Sequence, residues 1–172
     1  MGNLLFSPSG RVGPAPFMKG ATILIVIGFI LSILPALSAA LGMLGIIGIV
    51  LWWCWIVLWI KRYHDGGKSG WMCLVPIIVF IIASIVISLV LQPMFIDPEF
   101  AARSEEAAAS GDFGAVMEMA MSGGGVSKAG IFILALVNAV VAYLVAFVFN
   151  NMIKSDPHDN QFGPATPSMV SF

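Results

Sequence analysis

Residues 61–71 read KRYHDGGKSGW, and the reading of this stretch decides how the chain folds. It holds three of the eight Lys and Arg, one of the two His and three of the eighteen Gly. On either side lie runs without charge: no Asp, Glu, Lys or Arg occurs from Ala21 to Ile60, or from Trp71 to Ile96. A polar turn between two apolar runs of this length is the loop between two membrane crossings. Lys61, Arg62 and Tyr63 close one helix, where cations complement the C-terminal dipole. Asp65-Gly66-Gly67 is a turn signal. Ser69 offers an N-cap for the next helix, and Trp71 an anchor at the membrane interface.

Composition agrees. The 172 residues are 59% hydrophobic and 10% charged, where a soluble domain carries about 25% charged residues. So short a chain cannot hide that much apolar surface in its own core. Its solvent is lipid, and the expected fold is all-α: a polytopic membrane protein with four transmembrane helices. No extended basic face exists, so nucleic acid is not an expected partner. Cys54 and Cys73 lie in apolar runs and read as buried small hydrophobes, with no disulfide or metal spacing.

Working outward, spans fall at about 21–37, 42–60, 71–91 and 129–149, within a transmembrane domain 1–150. Each approaches the ~20 residues a helix needs to cross ~30 Å of hydrocarbon. The uncharged run 21–60 would make a helix of ~60 Å, so it must reverse. Pro35, Ser38, Gly42 and Gly45 place a hairpin at about 36–42. Ala36-Leu37-Ser38 also resembles a signal-peptide cleavage site, but three later spans favour an uncleaved anchor. Loop 92–128 promises a short helical extramembrane cap. Asp97-Pro98-Glu99 starts a first helix that Gly111 ends, Asp112 caps a second, and Gly123-Gly124-Gly125 returns flexibly to the fourth span. The polar tail 151–172, rich in Pro, cannot form a core and is either disordered or docked.

Arg11, Lys19, Lys61, Arg62, Lys68 and Lys154 share one face, whereas loop 92–128 holds Arg103 and Lys128 against six acids. The positive-inside rule makes the first face, with both termini, cytoplasmic.

Three further features bear on function. Lys61, Arg62, His64 and Lys68 surround Gly66 and Gly67, whose backbone N–H groups could form a nest for an anion or an anionic lipid headgroup. Trp59 and Trp71 sit near the interface, but Trp52 and Trp53 lie nine and eight residues before Lys61, roughly 13 Å into the core. They read as packing for a helix or lipid. Ala135, Ala139, Ala142 and Ala146 form a small-residue stripe on the fourth span, with Asn138 needing a hydrogen-bond partner, and Gly42, Gly45 and Gly48 do a similar job on the second. No ionisable residue lies mid-span, which argues against a proton relay or ion-coupled transporter. No nucleophile, cofactor motif or metal cluster is evident, so the expectation is not an enzyme, with no cofactor and no metal.

KRYHDGGKSGW resembles the R-R-L-H-D-x-G-[RK]-S-G-W signature of the DUF805 family of small bacterial inner-membrane proteins. FSPSGR, residues 6–11, is similar to that family's N-terminal F-x-x-x-G-R, and NQFGPATP, residues 160–167, to its N-x-[YF]-G-x-x-P tail. Pro14 stands where a second Arg is usual, and His158-Asp159 precede the Asn in place of Gly. The resemblance implies a multi-pass bacterial inner-membrane protein and no particular activity. It also implies one composite cytoplasmic surface of Arg11, Asp65, Ser69, Trp71, Asn160 and Gly163, in which Arg11 pairs with Asp65 and leaves Lys61, Arg62 and Lys68 for phosphates. The expected function is a non-catalytic accessory subunit or assembly factor on a larger membrane protein complex. The alternative is binding of an anionic lipid or small anionic ligand at the basic Gly turn. Membrane lipids and a second copy of the chain complete the expected partners.

Overall fold

A computed structural model describes residues 5–38, 41, 43–121 and 125–166. It contains six α-helices among these residues: α1 Pro14–Leu37, α2 Ile47–Asp65, α3 Leu74–Leu91, α4 Pro98–Ser110, α5 Phe113–Met121 and α6 Lys128–Met152. Short 3-10 turns at Met43–Ile46, Gly70–Cys73 and Gln92–Phe95 extend α2 and α3. Four helical segments are long and apolar enough to cross a membrane: Pro14–Leu37, Leu44–Asp65, Gly70–Phe95 and Lys128–Met152. The chain is a polytopic, all-α membrane protein.

Helix boundaries depart from the sequence reading for local reasons. α1 starts seven residues earlier than expected, because Gly13 is extended and Pro14 takes the first helical position, where its missing N–H costs nothing. Pro35 does not break α1, which continues to Leu37 and ends where the Ser38 N–H donates to Leu34 O at 3.2 Å. The hairpin expected at 36–42 falls in part on 39, 40 and 42, outside the described residues, as does Gly42 itself. α2 carries Lys61 to Asp65 within the helix, so the turn begins at Gly66. Ser69 makes no side-chain cap; its carbonyl accepts from the Met72 N–H at 3.1 Å.

α1 packs most extensively on α6, and α6 also receives α3, while α2 lies against α1. The core sits toward the end that carries the 61–71 turn. Phe17, Ala21 and Leu24 of α1, Cys54, Leu58 and Trp59 of α2 and Ala146 of α6 form one cluster there. Trp59 is therefore a core residue and not an interfacial anchor: its ring lies 4.5 Å from Phe17 and 6.3 Å from Phe149. Trp71 is exposed.

The cap between α3 and α6 is closed at its neck. Ile96 and Val126 form an antiparallel bridge, with Asp97 N–H donating to Gly125 O at 2.9 Å and Ser127 N–H to Phe95 O at 2.8 Å. Asp97 caps α4 through the Glu99 N–H, and Asp112 bonds the Ala115 N–H of α5. Gly123 and Gly124 lie outside the described residues. Gly125 is no loose linker, since Phe100 occupies the space a Cβ would need.

Candidate functional site

Asp65 is the last residue of α2, and its carboxylate accepts from four side chains on three separate segments. Arg11 Nη2 donates to Oδ1 at 3.3 Å and Thr166 Oγ1 to the same oxygen at 2.6 Å. Arg62 Nη1 donates to Oδ2 at 2.8 Å and Ser155 Oγ at 2.5 Å. The group is fully buried. Two oxygens offer about four lone-pair sites, and all are taken.

Arg62 is equally saturated. Besides Asp65, its Nε donates to Asn150 Oδ1 at 2.5 Å, and its Nη2 to the Asn150 carbonyl at 3.0 Å and the Ile153 carbonyl. Arg11 reaches from the N-terminal segment to the carbonyls of Asp65, Asp156, His158 and Gly163. A guanidinium fork suits such multiple acceptors, and charge-assisted bonds are the strong ones. Asn150 completes the frame by donating to the Pro14 carbonyl at 3.2 Å, which ties α6 to the start of α1.

His64 stacks face to face on Phe162, with ring centroids 3.8 Å apart and an interplanar angle of 3°. Its Nδ1 lies 3.3 Å from Gly10 O, and its carbonyl accepts from Asn160 Nδ2 at 3.2 Å. Asn160 and Gly163 pair with each other through both backbone groups. Asp156 N–H donates to Asp65 O at 2.8 Å. Its carboxylate accepts from the His158 backbone N–H and from the Asn160 amide, which hold it below the usual carboxylate range. The tail is thus docked from Ile153 to Thr166. Pro167 falls outside the described residues.

The 61–71 turn does not present the backbone nest expected for an anion. Gly66 N–H donates to Tyr63 O, Gly67 N–H to His64 O and Lys68 N–H to Tyr63 O. These bonds close the helix C-terminus and leave no nest. Arg62 points into the latch and not toward a phosphate. Lys61 is buried, with its carbonyl accepting from the Val12 N–H, and Lys68 is exposed. Gly67 takes φ of 68°, and a Cβ on Gly66 would meet Ile153 Cγ2 at 2.8 Å. Ser69 and Trp71 stay outside the cluster.

The alanine stripe is used within the chain. Ala135 and Ala146 are buried, Ala139 and Ala142 are half-buried, and Asn138 donates to Leu134 O of its own helix at 3.0 Å. A partner helix is not needed to explain them. Gly45 and Gly48 give no close helix approach either, since a Cβ on each would meet nothing within 4 Å. Among the described residues no group of three or more His, Cys, Asp or Glu could hold a metal.

Asn150, Ser155, Phe162 and Thr166 were not anticipated as site residues. Asn150 had a signal: one further step of four along the stripe from Ala146 reaches it.

Four membrane-spanning helices closed at one end by a buried Arg–Asp–Arg latch define a class of small polytopic membrane protein. The family model described as "Protein of unknown function (DUF805)" matches residues 5–102, more than half of the 172-residue chain, and the chain belongs to that family. No curated protein and no solved structure matches this chain. The matched range holds Arg11, Arg62 and Asp65, while the docked tail lies beyond it.

Proposed function

We propose that this is a non-catalytic multi-pass protein of a bacterial inner membrane, with both terminal segments cytoplasmic, that serves as an accessory or stabilising subunit of a larger membrane complex. The location and orientation rest on the family and on the excess of Lys and Arg at the latch end. The non-catalytic reading rests on the latch, where Arg62 and Asp65 of the signature turn are buried and bond to each other and to the tail.

The observation that carries the subunit reading is Trp53. It is 48% exposed, on one face of α2 with Ile49 and Val50 at spacings of 1 and 3. Its indole N–H finds no acceptor among the described residues. Roughly 12 Å from Lys61 along the helix, that N–H lies below the interfacial belt, where an unmet donor is costly. A neighbouring transmembrane helix offering a carbonyl or hydroxyl would meet it.

A photocrosslinking residue at position 53, or at 49, tests this in native membranes. The expected result is one discrete protein adduct from both positions and none from position 89 on α3. A chain that crosslinks equally from all three positions, or only to lipid, is not held by this face.

A further inference from the structure

A crevice of about 340 Å³ lies among α1, α2, α3 and α6. It exists because α2 packs on α1 while α3 packs on α6, so the two helices diverge beyond the turn that joins them. Trp52, Trp55 and Trp59 line it from α2, and Ile77 and Phe80 from α3. Gly28 of α1, Gly45 and Gly48 also border it, and a Cβ on any of the three would meet nothing within 4 Å. In a tight helix seam, glycine lets a neighbouring backbone approach; here the missing side chains leave space.

The lining decides what can fill that space. Apart from indole N–H groups, the polar side-chain group in it is the Ser32 hydroxyl, which already donates to Phe29 O at 2.8 Å. Apolar cavities do not hold water. From Trp59 to Gly45 the crevice follows α2 for about 21 Å, so its shape is long and narrow. Its volume lies within the few hundred Å³ usual for a ligand pocket. Its lower end reaches Trp59 and Pro76, next to the 61–71 turn on which Lys68 is exposed.

We infer that this crevice binds one acyl chain of a bilayer phospholipid, taken in sideways between α2 and α3, with the phosphate at the level of Lys68. The site is separate from the Trp53 face, and stands whether or not the chain joins a larger complex.

The full-length protein, purified in mild detergent and washed, would be analysed by native mass spectrometry with lipid extraction. Wild-type chains should retain phospholipid stoichiometrically. Gly28→Leu and Gly48→Leu, which place a side chain in the open space, should lower retention roughly tenfold with the thermal midpoint unchanged or raised. Leu89→Ala, on the outer face of α3, should retain lipid as wild type does. Equal retention in the filled variants, or an isoprenoid in place of phospholipid, would overturn the inference. A second measurement needs no variant: a phospholipid with a photoreactive acyl chain should label Trp52, Trp55, Ile77 and Phe80 of the wild-type protein. Labelling spread evenly to Ile82, Val86 and Leu89 would count against the site.

Discussion

Arg62 and Asp65 stand one turn apart on α2, 2.8 Å from each other, at 1% and 0% side-chain exposure. A buried ion pair is not in itself a gain, because both charges lose their water. This one is maintained by its surroundings: Arg11, Thr166 and Ser155 share the carboxylate, and Asn150 and Ile153 share the guanidinium. The pair serves as the point at which the N-terminal segment, the α2 turn, the end of α6 and the tail meet.

Removing the carboxylate leaves two guanidinium groups facing each other without a counter-charge. Asp65→Ala should therefore cost about 3–5 kcal/mol, the usual penalty for an orphaned buried charge. Thermal unfolding in detergent would show it as a large fall in midpoint. Arg62→Lys should also destabilise clearly, since an ammonium cannot reproduce the fork that reaches Asn150, Asp65 and Ile153 together. A midpoint within a degree or two of wild type for either variant would show that the latch carries little energy.

The two arginines should couple to Asp65 unequally. Arg62 approaches at 2.8 Å and Arg11 at 3.3 Å. Double-mutant cycles should give coupling within the 0.5–3 kcal/mol range for contacting residues, larger for Arg62–Asp65 than for Arg11–Asp65. The reverse order would mean that the N-terminal segment, and not α2, positions the carboxylate.

Tail docking should weaken in acid. The Asp156 carboxyl is held below the ordinary aspartate value of about 3.9 by the His158 N–H and the Asn160 amide. With the folded value depressed, its contribution is complete above that ordinary value and is lost as pH falls through the folded one. Protease protection of residues 153–166 should hold at neutral pH and decline below about pH 4. Asp156→Ala should lower protection at neutral pH and flatten the acid dependence. An Asp156→Ala tail as protected as wild type would assign the docking to Arg11 and Thr166 alone.

The sequence shows the spans because lipid demands long uncharged runs, and the outer cap because Asp97-Pro98 and Gly111 are local signals. Local signals also explain the turn at Gly66-Gly67. What the sequence does not show is which way a side chain faces at a helix end. Arg62 and Lys68 look alike in KRYHDGGKSGW, yet one is the most enclosed cation in the chain and the other is exposed. The difference arises from Asn150 and the tail, some ninety residues away, and a long-range acceptor leaves no local pattern. His64 is the same case. Neither its neighbours nor its own chemistry announces Phe162, and its role is to stack the tail on the turn. Gly48 shows the converse: a small residue at helix spacing reads as close packing, and whether a neighbour approaches depends on the splay of other helices.

Two alanines of the α6 stripe, four residues apart, should respond oppositely to enlargement. Ala146 is almost fully buried in the cluster with Phe17, Ala21 and Leu24 of α1. A leucine there has no space and must displace its neighbours, at a cost of typically 1–3 kcal/mol. Ala142 borders the crevice beside Trp55. A leucine at that position extends into open volume, adds apolar contact and does not force α1 away. Ala146→Leu should thus lower the thermal midpoint in detergent, while Ala142→Leu should leave it unchanged or raise it and reduce retained phospholipid. If both variants were equally destabilised, α6 would be packed tightly along its whole length, and the crevice would be closed in the folded protein.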